Sequence, residues 1–161
     1  MTTTPTPPVA TLSETVLKNA RPEIAAWLAA FVERHGGFVG SVHLSEPAED
    51  GEIVLVAAHN LPPAVVNGAA VVGIGKGMAG ATAERKAPVG ITDLQTDTSG
   101  VARRPACASQ AKGSATLPVF APDDPTRLLA VVGLGFAEPR EFTDEEIAEY
   151  GADAATVLEA A

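Results

Sequence analysis

Residues 71–97 read VVGIGKGMAGATAERKAPVGITDLQTD, and the order of signals in this stretch decides the fold. It predicts a strand, a glycine turn, a short helix, and a second strand introduced by Pro88. Gly73, Gly75, Gly77 and Gly80 crowd the turn. Glycine carries an entropic cost that is repaid where φ is positive or backbones approach closely, so the cluster predicts both. The helix has room only from about Met78 to Lys86, because Pro88 disfavours helical geometry at Ala87. Its free N–H groups and positive dipole end face back onto the turn, a suitable seat for an anion or a polar ligand group.

Two architectures compete for this stretch. Gly75-Lys76-Gly77-Met78-Ala79-Gly80 matches G-x-G-x-x-G and follows the apolar residues 69–72, as a dinucleotide fingerprint would. That fingerprint opens a long crossover helix in a parallel unit of about 30 residues. Here roughly nine residues separate the turn from Pro88, and no second strand–helix–strand half follows. An antiparallel arrangement is therefore expected.

Working outward, residues 1–10 (MTTTPTPPVA) read as a disordered tail and residues 11–161 as a single domain. A short first helix is expected over 11–20, capped by Thr11 or Ser13. Pro22 suits the first turn of a second helix, in which Ile24, Trp27, Leu28, Phe31 and Val32 recur at helical spacing up to His35-Gly36-Gly37. Residues 38–44 and 53–59 read as paired antiparallel strands. Leu61-Pro62-Pro63 starts a short helix or turn, and 92–111 is a polar excursion. Residues 114–120 and 128–136 form a hairpin across the turn 121–126. Thr143 and Glu146 form a capping box that opens a helix over 143–160 with Ile147, Tyr150, Ala154, Val157 and Leu158 inward. The fold class is α+β, with the terminal helices packed on one face of an antiparallel sheet.

Composition narrows the function classes. The net charge of −9 works against a polyphosphate partner, and the nearest basic cluster is Arg103-Arg104, so no nucleic acid is expected. No apolar run reaches the ~18 residues that span a bilayer, and the start lacks the pattern of a signal peptide. The single cysteine cannot form an internal disulfide. A cytoplasmic protein with no membrane partner is expected.

The glycine turn, Ala87-Pro88-Val89 and Ile91-Thr92-Asp93-Leu94 together resemble the centre of a GAF domain. The resemblance continues in Ser114 to Pro118 (S-x-x-x-P), in LLAVVGLG at 128–135, and in Arg140-Glu141-Phe142-Thr143 at the entry to the last helix. It covers roughly residues 22–160. It implies a GAF-like fold with a ligand pocket on the sheet face opposite the terminal helices. Carried over by position, the ligand-binding residues are Gly75, Lys76, Gly77, Asp93, Asp97, Arg103, Arg104, Cys107 and Ser114, with Gly133 and Gly135 leaving space on the sheet. No cofactor and no metal are implied. The function implied is that of a sensor that binds a small molecule and acts through a partner signalling protein or by dimerisation. The apolar arc of the 22–34 helix is wider than one sheet contact needs, which suits a homodimer through the terminal helices or cover by residues 9–20.

Cys107 is the candidate nucleophile. Arg103 and Arg104 stand close enough in sequence to lower its pKa. The free methionine-(R)-sulfoxide reductases, which share the GAF fold, place their catalytic cysteine eleven residues before the strand proline, as Cys107 stands before Pro118. A thiol-dependent reductase is therefore the alternative function. The family's remaining site residues are missing. Ser114 stands where it has a glutamate, Gly133 and Gly135 where it has two aspartates, and Met78-Ala79 where it has a second cysteine. Three readings of Cys107 stay open: a small apolar loop residue, a redox-responsive thiol, and a reductase nucleophile. His43 and His59, on paired strands, form a metal-like set with Cys107, but no short ligand spacing supports it.

Overall fold

Strand Val71–Gly73 decides between the two architectures. It pairs antiparallel with Glu52–His59, Val54 opposite Val71 and Glu52 opposite Gly73, so the parallel dinucleotide fold is ruled out. The computed structural model describes residues 11–46, 50–96 and 111–160. Its strands are β1 (Val39–Leu44), β2 (Glu52–His59), β3 (Val71–Gly73), β4 (Val89–Ile91), β5 (Ser114–Ala121) and β6 (Asp124–Gly135). They form one sheet in the order β3-β2-β1-β6-β5-β4, with every described pairing antiparallel. The helices are α1 (Glu14–Asn19), α2 (Pro22–Arg34), α3 (Pro63–Gly68), α4 (Gly77–Arg85), α5 (Asp144–Ala154) and α6 (Val157–Ala160). Among the described residues no helix is long and apolar enough to cross a membrane.

The period of two along the central strands sorts side chains onto two faces. One face holds the main core. Ile24, Leu28, Phe31 and Val32 of α2 meet Val42 of β1, Leu117 and Val119 of β5, and Val132 and Leu134 of β6, with Tyr150, Ala154 and Val157 beside them. Each fully buried Leu, Ile, Val or Phe there stabilises by roughly 1.5–3 kcal/mol. Arg34 donates to both carboxylate oxygens of Asp153 at 2.5 and 2.6 Å, which fastens the end of α2 to α5. The capping box of α5 is present, Thr143 Oγ1 accepting from the Glu146 N–H at 3.1 Å.

Three expectations change. The 143–160 helix is broken between α5 and α6 at Ala155 and Thr156. Thr156 Oγ1 donates to the Asp153 carbonyl at 2.7 Å and accepts from Trp27 Nε1 at 2.8 Å, and such backbone bonding by a hydroxyl competes with the helical ladder. The same bond, with the Trp27 ring stacked on Phe31, explains the wide apolar arc of α2: it packs on the sheet and on α6 at once. The hairpin turn shrinks from 121–126 to Pro122 and Asp123, because Ala121 already pairs with Asp124. Asp124 Oδ1 accepts from the Thr126 hydroxyl at 2.6 Å and from its N–H. Pro125 is tolerated because the β1 pairing of β6 ends at Ala130 and leaves that edge free.

The glycine turn folds as expected. Gly75 and Gly77 have φ of 92° and 65°, and α4 ends at Lys86 in a left-handed cap. Gly80 is the closest fit in the turn. A Cβ there would overlap the Gly73 carbonyl oxygen and lie 3.2 Å from the Gly75 nitrogen, both backbone atoms. Gly151 of α5 is the opposite case, with nothing near a added Cβ beyond its own helix. The same substitution should thus have opposite signs. Gly80→Ala should lower stability by ~1–3 kcal/mol through overpacking, and Gly151→Ala should raise it by ~0.5–1 kcal/mol through lost unfolded-state entropy. Urea midpoints check both, and equal effects would contradict this packing.

Candidate functional site

The sheet face opposite α2 and α5 carries the cavity. Its floor is set by register. Ser41 of β1, Gly133 of β6 and Thr116 of β5 stand in one row, and Val39, Gly135 and Ser114 in the next. The start of α4 (Gly77, Met78, Ala79) forms one wall, and Val65, Gly68 and Ala69, on and just after α3, form another. Leu94 and Ala111 close the side. Leu94 N–H donates to the Lys112 carbonyl and Lys112 N–H to that of Phe136, each at 2.8 Å. The cavity volume is about 270 Å³.

The sequence-predicted site residues separate into three groups. Lys76, Gly77 and Ser114 line the cavity. Gly75 and Asp93 are not among its lining residues. Gly75 N–H donates to the Gly80 carbonyl at 2.7 Å, and Asp93 Oδ1 accepts from the Gln95 N–H at 2.9 Å within its own loop. Asp97, Arg103, Arg104 and Cys107 lie outside the described residues. Gly133 and Gly135 do line the cavity, but the space is not open as expected. A Cβ on Gly133 would come within 2.6 Å of Ser41 Oγ, and one on Gly135 within 2.6 Å of Val39 Cγ2. Neighbouring side chains lean over both glycines.

The turn's own hydrogen bonds close it locally. Gly75 and Lys76 N–H groups are used inside the turn, on Gly80 and Gly73 carbonyls. What faces the cavity is the start of α4, whose N-cap residue Lys76 supplies no side-chain cap. The positive end of the helix dipole therefore sits at the cavity wall.

The sequence reading did not place three polar groups at the cavity: Ser41, Thr116 and His43, the last weighed only as a metal ligand. The signal was there, since Val39, Ser41 and His43 alternate along β1 and must share a face. Thr116 is engaged within the protein, hydroxyl to hydroxyl with Thr82 of α4. His43 is 2 % exposed. It stands opposite Leu55, while His59 stands opposite Gly40, so the two histidines do not face each other. Among the described residues no group of three His, Cys, Asp or Glu could hold a metal. His43 Nε2 lies 2.9 Å from the Ala69 carbonyl oxygen. A carbonyl only accepts, so Nε2 carries the proton and Nδ1 of the neutral ring is an acceptor. That Nδ1 has no partner among the described residues. Burial pushes the His43 pKa down to about 4, against a smaller upward pull from the Ala69 carbonyl. Of the described lining residues only Lys76 bears a formal charge at neutral pH, and none is a carboxylate.

A family model described as GAF domain matches residues 9–159. Among solved structures, the chain is similar to the type II free methionine-R-sulfoxide reductase from Thermoplasma acidophilum, with a TM-score of 0.68 at 13% identity over 90% of this chain and 94% of that one. It is similar to the free methionine-R-sulfoxide reductase from Neisseria meningitidis in complex with its substrate (0.59, 16%, 93% and 93%). The GAF domain of an Acinetobacter phosphoenolpyruvate-protein phosphotransferase is also similar (0.61, 13%, 92% and 96%). No curated protein matches the sequence. At these identities the likeness is one of fold.

The buried imidazole makes stability pH-dependent. The unfolded chain takes up the His43 proton below its ordinary pKa of 6.5, and the folded chain only below about 4. Stability should therefore be complete above pH 6.5 and fall as pH drops towards 4, by about 2 kcal/mol between about pH 7 and pH 5. Glu146, pulled down to about 2 mainly by the Arg140 side chain, acts in a lower window, from its ordinary 4.5 downward. Urea unfolding at both pH values should show this loss in the native chain and its absence in His43→Leu. Equal losses in both would refute the assignment.

Proposed function

Because this chain belongs to the GAF domain family, we propose that it is a sensor: its cavity binds a small molecule, and occupancy is read by a partner signalling protein or by a second copy of the chain. The observation that carries this reading is the cavity itself. It is of ligand size, built almost wholly from aliphatic side chains and glycine, with a few polar groups at the floor and one wall, the composition of small-molecule sites. Lys76 and the positive end of α4 favour an anionic or polar ligand group at that wall. Among the described residues the large apolar side chains most exposed are Leu12, Leu17, Val71 and Ile74, rather than those of α2. A homodimer or partner contact is therefore expected to use α1 or the β3 edge as well as the terminal helices. Signal transduction in the cytoplasm is part of this reading, and cell fractionation checks the location.

Native mass spectrometry of the purified protein should reveal a small-molecule adduct that denaturation removes. Light scattering should report a dimer, or a monomer that changes state when the adduct is stripped. A chain that carries no adduct, takes up none from a metabolite extract and stays monomeric throughout would overturn the sensor reading.

A second reading is a thiol-dependent reductase with Cys107 as nucleophile, favoured by the structural likeness to two free methionine-R-sulfoxide reductases. Against it stands the described lining, which offers no carboxylate to hold the ammonium group of a free amino acid. Turnover of free methionine-R-sulfoxide with a thiol reductant should be absent. Turnover that is lost in Cys107→Ser would establish the reductase instead.

A further inference from the structure

We infer that Arg140 is a positioning residue for the cavity: it fastens the side wall that carries Leu94 and Ala111 to helix α5, so that a partner bound at α5 and a ligand in the cavity act on each other through this side chain. The inference rests on the sensor reading above, and it adds the route by which occupancy reaches a terminal helix.

The wall lies where the sheet ladder stops. β4 and β5 pair as far as Ile91 and Ser114. Beyond them the backbone bonds to other segments. Leu94 N–H donates to the Lys112 carbonyl and Lys112 N–H to that of Phe136, each at 2.8 Å. Gly113 N–H donates to the Glu138 carbonyl at 3.0 Å, and Arg140 N–H to the Thr92 carbonyl at 2.9 Å. Gln95 Nε2 donates to the Ala111 carbonyl at 2.8 Å. The wall is thus stitched to residues 136–140, which belong to no strand or helix, since β6 ends at Gly135 and α5 starts at Asp144. A segment of this kind is held by what fixes its two ends.

One end is β6, and the other is Arg140. The Arg140 backbone is pressed onto Gly113, where a Cβ would lie 2.8 Å from Arg140 Cβ and 3.1 Å from its nitrogen. The guanidinium lies 4.4 Å over the Phe136 ring and donates to Glu146 Oε2 in the first turn of α5. Glu146 is itself fixed. Its Oε1 accepts from the Thr143 N–H at 3.2 Å, and its Oε2 from the Tyr150 hydroxyl at 3.4 Å. A fully exposed ion pair contributes little. This one is partly shielded, its side chains 37 % and 30 % exposed, and its cation also rests on an aromatic face. Coupling between two sites is reciprocal. What displaces α5 loosens the wall, and a ligand that tightens the wall tightens the hold on α5.

Amide hydrogen exchange of the full-length chain, resolved by NMR, tests this. Arg140→Gln removes the charge, and Glu146→Gln removes the ion pair while keeping a side-chain oxygen for the capping box. In Arg140→Gln the amides of Leu94, Lys112 and Gly113 should lose protection roughly fivefold relative to the amides of β1 and β6. Glu146→Gln should lower the same three amides, and the double variant should lose no more than Arg140→Gln alone, as expected of two residues acting through one contact. If Arg140→Gln does not fold, Glu146→Gln decides by itself. A uniform loss across wall and sheet amides would reduce Arg140 to a general structural role and overturn the inference. So would unchanged wall protection, or a loss in Arg140→Gln that Glu146→Gln does not share. The native mass spectrum answers the sensor reading separately, so an adduct there with unmoved wall amides would overturn this inference alone.

Discussion

The pairing of β1 with β6 is the constraint on which the rest of this protein depends. It joins a strand near the start of the domain to one near its end, Val39 opposite Gly135 and Leu44 opposite Ala130. Through it, Val42, Leu44, Val132 and Leu134 face α2, and Ser41, His43, Val131 and Gly133 face the other way. A slip of one residue would send every side chain to the wrong face. Core and cavity are two sides of a single register, and neither can be altered without the other.

On the cavity side, closure depends on short elements with little stability of their own. In the turn at 73–77, Ile74 N–H donates to the Gly51 carbonyl, Gly75 N–H to that of Gly80 and Lys76 N–H to that of Gly73, and Gly80 lets the first turn of α4 settle against β3. The buried hydroxyl pair of Thr82 and Thr116 then ties α4 to the floor. On the opposite side, Asn67 accepts from Ser13 N–H and donates to the Thr11 carbonyl, both at 2.8 Å, holding the α1 segment against α3. The walls are thus pinned by single polar contacts, whereas the sheet beneath them is held by continuous ladders. Ligand-binding walls belong to the less stable part of a fold for this reason.

The electrostatics of the site follow from desolvation more than from charge. The chain is acidic overall, yet no acidic residue lines the described cavity. The ionic contacts lie elsewhere, as in Arg34 with Asp153 and Arg140 with Glu146, where they fasten helices. Arg140 also covers the Phe136 ring at 4.4 Å and donates its backbone N–H to the Thr92 carbonyl, so it holds the strand-following segment in place. Among the described lining residues the polar chemistry comes from an imidazole, a few hydroxyls, the Lys76 ammonium and a helix end.

Local signals in the sequence sufficed for the antiparallel class and for most elements, because turns, caps and periodicity act over a few residues. Pro88 limits α4, Thr143 and Glu146 cap α5, and the glycines at 73–80 announce the turn; all three were legible. Lys76, Gly77 and Ser114 could be placed at the cavity for the same reason, since each belongs to a recognisable local pattern. The break at Thr156 was not legible, because the hydroxyl that bonds the Asp153 carbonyl there is also held by the indole of Trp27, distant in sequence. Nor was the crowding over Gly133, which depends on a serine from another strand. His43 makes the difference plainest. The sequence by itself determined that it shares a strand face with Val39 and Ser41. Only the tertiary structure decided that this face is a cavity, that the Ala69 carbonyl holds one ring nitrogen, and that burial keeps the ring neutral, because hydrogen-bond roles and desolvation are set by atoms that folding alone brings together.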